Sequence, residues 1–461
     1  MSLLRLSSTN NTGFFITKSS SIFFSHIHTS RSSNSSSSTS SPSTSPSSSS
    51  INSNAANVVD ATAITTEALQ DIQSKVKINN NYRTSTPPSG VPLSKIFSNN
   101  FPLSFKESFN HYKIRNDLAK IEYDLLSTLE FFPEPSEYYK SEIKNTVIDE
   151  KTGDFINEFN IEPLNFQDLK EEDKHYLIFI HGYGAGQCFF YKNLEKIANL
   201  KIFKNWKIIS IDLLGYGNSS RPNFPHDIPF KDYEKVEDIF VESLNTWFTK
   251  NKFPANKTLV VSHSMGSYLS ILLNIKYPDL FKKLIMVSPG GISIPRIKPK
   301  IPLWFEKLWN LNVSPFSLVR YSGPFGSYFV SGWTSRRFSK NKEIFSKLDQ
   351  SLLHLYTYSI FNAKGSGEYM LNYFLAPGGV PKNPLINRMS KFKCDTLWCY
   401  GSNDWMDKKG GLKCSNDLKS KGFISDYIEI EDSGHHIYLD NFNKFNELIV
   451  SEMNRFETTY K

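Results

Sequence analysis

The stretch from Thr258 to Leu269 constrains this chain most. Thr258, Leu259, Val260 and Val261 are β-prone, Ser262-His263-Ser264-Met265-Gly266 is a tight turn of mostly small residues, and Tyr268, Leu269, Ile271, Leu272 and Ile275 follow at helical spacing. A strand that turns at once into a helix tolerates only small side chains where the two cross, and it lifts the residue at the apex clear of the backbone. That is a strained elbow with the Ser264 hydroxyl exposed, and the partial positive charge of the helix N-terminus faces any oxyanion that develops beside it. Gly266 fits the second glycine of G-x-S-x-G, and Ser262 stands in place of the first.

The flanking segments extend the pattern. Tyr176–Ile180 is a continuous apolar run of the kind buried in a parallel sheet, and it ends in the glycine loop His181-Gly182-Tyr183-Gly184-Ala185-Gly186. Lys207–Ile211 is a further strand. It leads into Asp212-Leu213-Leu214-Gly215-Tyr216-Gly217-Asn218-Ser219-Ser220-Arg221, a sharply turning loop that the serines and Arg221 can hold by side-chain bonds. A helix with Val236, Phe240, Leu244 and Trp247 on one face precedes the elbow, and Leu284–Val287 is a strand after it. Strand and helix therefore alternate from Tyr176 to Pro289, which predicts an α/β chain with a mostly parallel, doubly wound sheet. With 461 residues and 39% hydrophobic content the chain can bury a sizeable core.

Upstream, order is expected from about His111. Ile114, Leu118, Ile121, Leu125 and Leu129 mark one face of a helix, and Tyr138–Val147 with Phe155–Ile161 read as a β-hairpin. From 291 to 390 the alternation stops: prolines punctuate short helical fragments rich in Trp and Phe, an insertion placed to cap the sheet. The sheet resumes with Thr396–Tyr400 and Asp426–Ile430, and a helix from Asn443 to Phe456 follows. The expected core is thus 111–290 and 391–461, interrupted by the cap.

Residues 1–59 contain no Asp or Glu, carry Arg5, Lys18 and Arg31, and include a serine tract from Ser32 to Ser50. This is the composition of a mitochondrial transit peptide; a poorly ordered linker, 60–110, is expected after it. The four cysteines show no C-x-x-C pair and read as buried or free thiols in a reducing compartment. No run of 18 apolar residues exists, so any membrane attachment would be peripheral.

The glycine loop after Ile180 has neither P-loop nor dinucleotide-fold spacing, and no cofactor, metal or nucleic-acid partner is expected. It reads instead as an oxyanion loop, in which the N–H groups of Tyr183 and Met265 face developing negative charge. A serine nucleophile needs a base, and the base needs a carboxylate to fix its tautomer and stabilise its cation. Gly401-Ser402-Asn403-Asp404 follows one resumed strand and Ser433-Gly434-His435 the other. The order Ser264, Asp404, His435, each just past a strand's C-terminal end, is the order of α/β hydrolases. Asp404 is preferred as the acid because it completes a G-x-x-D turn, with Asp407 as the alternative.

From Leu177 onward the chain resembles the α/β-hydrolase group that includes cardiolipin-specific deacylases, an animal lysophospholipase and the lipid-droplet co-activator of adipose triglyceride lipase. The resemblance is carried by Asp212-Leu213-Leu214-Gly215 through Ser220-Arg221-Pro222, Phe240-Val241-Glu242-Ser243, Gly323-Pro324-Phe325-Gly326 and the H-x-x-x-x-D stretch His435–Asp440. Ser262 and Ser267 stand where that group carries glycine, and Ser264 stands where the co-activator carries asparagine. The resemblance implies a serine phospholipid acyl hydrolase with the fold of the group. Cardiolipin at the mitochondrial inner membrane is the expected substrate and place, with cytoplasm or lipid droplet as the other location. Two other functions fit the group: acyl transfer to lysophosphatidic acid through His435 and Asp440, and non-catalytic regulation of a lipase. Asp440 can alternatively cap the final helix.

Between Gly291 and Lys347 Glu306 and Glu343 are the only acids, against ten basic residues, with Trp304, Trp309 and Trp333 interleaved. Arg336, Arg337, Trp304 and Trp309 are accordingly expected to meet an anionic membrane surface.

Overall fold

The computed structural model describes residues 104–200, 204–294, 301–338 and 343–460. The expected transit segment, nearly all of the expected linker and several of the cap's basic residues lie outside them. The strands are β1 (Tyr139–Asp149), β2 (Asp154–Pro163), β3 (His175–Ile180), β4 (Trp206–Ile211), β5 (Thr258–His263) and β6 (Lys283–Val287). In the insertion β7 (Leu375–Ala376) pairs with β8 (Val380–Pro381), and β9 (Asp395–Gly401) and β10 (Ser425–Ile430) follow. Eight strands make one sheet in the order β1-β2-β4-β3-β5-β6-β9-β10. The β1–β2 hairpin joins β4 antiparallel, and the six strands from β4 to β10 run parallel. The doubly wound sheet with a helical insertion is as the sequence predicts.

The central strands read as unbroken apolar runs because both of their faces are covered. Leu177, Phe179, Leu259, Val261, Ile285, Val287 and Leu397 face one core, whereas Ile178, Ile180, Val260, Leu284, Met286 and Trp398 face the other. Each such side chain contributes about 1.5–3 kcal/mol by leaving water.

Register brings the loops together. Ile180 lies opposite Ile211 on one side and Ser262 on the other, His263 opposite Val287, Val287 opposite Cys399, and Gly401 opposite Ile430. The C-terminal ends of the parallel strands therefore emerge nearly level, and the chemistry-bearing loops share one edge.

Two local expectations are corrected. Among the described residues the first helix begins at Phe105, ahead of His111, and the apolar face from Ile114 to Leu129 is divided between helices Phe105–Ile114 and Leu118–Leu126. Asp117 causes the break: its side chain accepts the Lys120 N–H and starts the second helix. The insertion holds helices Leu303–Asn310, Ser317–Tyr321, Gly326–Phe338, Lys347–Asn362 and Leu371–Phe374. All four cysteines are free and buried. Among the described residues no helix is long and apolar enough to cross a membrane.

Candidate active site

Ser264 follows β5 directly and precedes helix Met265–Lys276 with φ 52° and ψ −111°, a conformation that costs an L-residue about 1–3 kcal/mol. The crossing that imposes it is tight: a Cβ on Gly266 would sit 2.4 Å from the His181 carbonyl oxygen, so only glycine fits. The serines that replace two glycines pair with each other. Ser267 Oγ donates to the Ser262 carbonyl at 2.7 Å, and Ser262 Oγ lies 3.2 Å from Ser267 Oγ. Both are fully buried, so the substitution is accommodated by hydroxyls that satisfy one another.

The strained turn aims Ser264 Oγ at His435, whose Nε2 lies 3.0 Å away. His435 Nδ1 lies 3.3 Å from Asp404 Oδ1, which also accepts the Met406 N–H at 3.1 Å. Burial works to raise the Asp404 carboxyl. The His435 charge and the hydrogen bonds from His435 and Met406 outweigh it and hold the carboxyl below the usual carboxylate range. Asp407 is engaged elsewhere, accepting the Ser293 hydroxyl. The structure therefore brings Ser264, His435 and Asp404 together and leaves Asp407 outside the cluster. This arrangement can take a proton from a serine hydroxyl and stabilise the imidazolium that results.

Tyr183 and Met265 border the same point. Met265 is the first residue of its helix, and a first-turn N–H has no intrahelical acceptor. A Cβ on Gly182 would lie 3.0 Å from Ser264 Cβ, so the backbone leading into Tyr183 runs directly against Ser264. The Tyr183 ring stacks on Phe316 of the cap at 5.5 Å, and Phe316 stacks on Phe361 at 4.4 Å, which roofs this side of the site.

The loops after β3 and β4 are tied together by Asp212. Its carboxylate accepts the N–H groups of Gln187 and Asn218, both at 2.8 Å, and the Asn157 amide at 3.0 Å. As the sequence suggested, Ser219 and Arg221 hold the second loop: Ser219 Oγ donates to Asp212 O at 2.6 Å and Arg221 to Gly217 O at 3.1 Å. Sequence reasoning missed Glu122, which is fully buried beneath the same loops and accepts amides of Asn157 and Gln187. Burial and then the Asp212 charge push its carboxyl up to about 8, against the amide donors. The signal was present: Glu122 falls on the apolar stripe of its helix, between Leu118 and Leu125.

Also missed were the groups packed on His435. His263 Nε2 lies 2.9 Å from the His435 carbonyl, which fixes its proton on Nε2. Burial drives the pKa values of His263 and His436 far down, leaving both neutral. The Trp405 ring lies 5.2 Å from His435.

Asp440 does not cap the final helix; Asn441 does, accepting the Lys444 N–H. Asp440 instead accepts the Gly434 N–H at 3.0 Å and pairs with Arg337 at 3.2 Å. Arg337 is thus turned into the protein rather than toward a lipid surface. Trp309 Nε1 donates to the Leu375 carbonyl at 3.1 Å, whereas Trp304 is exposed. Arg336 lies on helix Gly326–Phe338, with its side chain outside the described residues. Among the described residues no cluster of three or more His, Cys, Asp or Glu is placed to hold a metal ion.

A family model described as alpha/beta hydrolase fold matches residues 176–442. The chain is 31% identical over 300 residues to a probable 1-acylglycerol-3-phosphate O-acyltransferase of Oryza sativa subsp. japonica, covering 62% of this chain and 69% of that protein. It is 28% identical over 285 residues to a (lyso)-N-acylphosphatidylethanolamine lipase of Bos taurus, covering 60% and 78%. A 1-acylglycerol-3-phosphate O-acyltransferase of Saccharomyces cerevisiae is 29% identical over 331 residues, covering 60% and 82%.

Proposed function

Because this chain belongs to the α/β-hydrolase fold family, we propose that it is a serine acyl hydrolase that deacylates glycerophospholipids. The observation that carries this reading is the continuous contact from Ser264 Oγ to His435 Nε2 at 3.0 Å and from His435 Nδ1 to Asp404 at 3.3 Å. Ser264 Oγ attacks the ester carbonyl as its proton passes to His435, and the N–H groups of Tyr183 and Met265 receive the oxyanion. Collapse expels the lyso-lipid alkoxide, which takes the proton from His435, and leaves an acyl group on Ser264. Water, deprotonated by His435, then releases the fatty acid.

A second reading follows from relatives named as 1-acylglycerol-3-phosphate O-acyltransferases. The acyl-enzyme can be resolved by the hydroxyl of a lysophosphatidate in place of water, using the same residues. Regulation without catalysis is disfavoured, because it gives no reason for a serine hydroxyl to sit within reach of an oriented base. Cardiolipin, at the mitochondrial inner membrane, is the substrate and place we would test first, on the family resemblance and the acid-free N-terminal segment.

The deciding experiment is fluorophosphonate labelling of the full chain, followed by release of fatty acid from cardiolipin, phosphatidic acid and N-acylphosphatidylethanolamine. Labelling that is lost in Ser264→Ala, together with fatty acid release, is the expected result. Wild-type protein that neither labels nor releases fatty acid would overturn the reading.

A further inference from the structure

His435 is held from several sides. Its ring contacts Ser264 and Asp404, and its carbonyl contacts His263. The loop that carries it is tied at Ser433, whose carbonyl accepts the Asn403 N–H at 2.9 Å beside the acid. Between Ser433 and His435 lies one further backbone donor, the Gly434 N–H. It is taken by Asp440 Oδ2 at 3.0 Å. The other oxygen of Asp440 meets Arg337 Nη1 at 3.2 Å, and Arg337 belongs to cap helix Gly326–Phe338. The Arg337 guanidinium lies 5.7 Å from the Trp333 ring centroid, and Trp333 packs 6.2 Å from His436. The Asp440 side chain is buried and that of Arg337 half-buried, with exposures of 7% and 21%, which removes much of the solvent screening that weakens a surface pair.

We propose that Asp440 and Arg337 are positioning residues for the His435 base. Asp440 clamps the backbone immediately ahead of the imidazole, and Arg337 seats the cap on that clamp. The alignment of His435 with Ser264 therefore depends on the cap being in place. This deepens the hydrolase reading and rests on it. It also gives the H-x-x-x-x-D pattern a different meaning from acyl transfer. The aspartate serves the base in every reaction that uses Ser264, so hydrolysis and transfer fall together when it is removed.

The test uses full-length Asp440→Ala and Arg337→Met. For each, kcat and KM for a soluble p-nitrophenyl ester, the rate of fluorophosphonate labelling at Ser264 and the melting temperature are measured. The labelling rate needs the base but no lipid. Both kcat and the labelling rate should fall in parallel, on the order of ten- to a hundredfold, as expected for a reacting group displaced by a fraction of its contact distance. KM should stay within about twofold, since a misplaced base slows the chemical step without removing a substrate contact. Asp440→Asn should recover much of the rate, because its amide oxygen still accepts the Gly434 N–H. The reversed pair, Arg337→Asp with Asp440→Arg, should not recover it, because arginine offers no acceptor.

A folded variant that labels at the wild-type rate overturns the proposal, as does recovery in the reversed pair. Should Asp440→Ala not fold, Arg337→Met decides by the same readouts. Wild-type protein that takes no label would bring down the hydrolase reading and this inference with it.

Discussion

His435 Nδ1 lies 3.3 Å from Asp404 Oδ1, whereas Asp407 accepts the hydroxyl of Ser293 in the loop after β6. Only a carboxylate bonded to the imidazole can fix its tautomer. Asp404→Asn should therefore lower kcat about 10⁴-fold, and Asp407→Asn should leave it within an order of magnitude. Steady-state kinetics on a soluble ester checks this, and the reverse ranking would move the acid to Asp407.

The backbone of Ser264 is strained, with φ 52° and ψ −111°. Ser264→Gly should abolish activity and raise stability by about 1 kcal/mol, because glycine reaches that conformation without a Cβ clash. Ser264→Ala should abolish activity with no such gain. Denaturant unfolding of the two variants measures the difference, and equal stabilities would argue that the strain is absent.

Ser262 and Ser267 share a pair of hydroxyl hydrogen bonds in a fully buried crossing. Ser267→Ala should cost about 1–3 kcal/mol, by leaving the Ser262 groups unpaired. The double change to glycine should cost less than the sum of the single changes. An additive double-mutant cycle would show that the two hydroxyls do not support each other.

The Glu122 carboxyl, pushed up to about 8 by burial and then by Asp212, binds a proton more tightly in the folded chain than at its ordinary value of 4.5. Between those values the folded state holds more protons than the unfolded state, so this group's contribution makes stability fall as pH rises. Comparing melting temperature at pH 5.5 and 8 in wild type and Glu122→Gln tests it. The wild type should lose more stability than the variant over that interval, and parallel slopes would rule the effect out.

With Arg337 paired to Asp440, the cap has one fewer cation to offer a membrane, but it exposes Leu303, Leu311 and Tyr321 at 76%, 73% and 89%. Replacing Leu303 and Leu311 by Asp should weaken flotation with phospholipid vesicles more than raised salt does, since screening acts on charges and not on apolar insertion. Binding that collapses in salt and ignores the two leucines would restore the electrostatic account.

The strands and the elbow were legible in the sequence because each is a local pattern. Tyr176–Ile180 and Leu259–Val261 are apolar without interruption only because two cores cover them. Gly266 could be read as part of the G-x-S-x-G pattern, although what requires glycine there is the close approach of the Ile180 and His181 carbonyls at the end of β3. The order of Ser264, Asp404 and His435 could be read for the same reason, as each follows the end of a strand. The break at Asp117 was missed because periodicity counts apolar positions and ignores a side chain that competes for a backbone N–H.

By itself the sequence determined a doubly wound sheet, an inserted cap and a serine, an acid and a base at three strand ends. Those features are written in residues close to one another along the chain. Tertiary structure alone decided which acid meets the base, what Asp440 holds, that Arg337 turns inward and that Glu122 lies beneath the loops after β3 and β4. Each of these depends on two segments far apart in sequence approaching within hydrogen-bond distance. Gly434 and Arg337 meet through Asp440 only because the cap folds back over the sheet's C-terminal edge, and no local pattern of polarity records that approach.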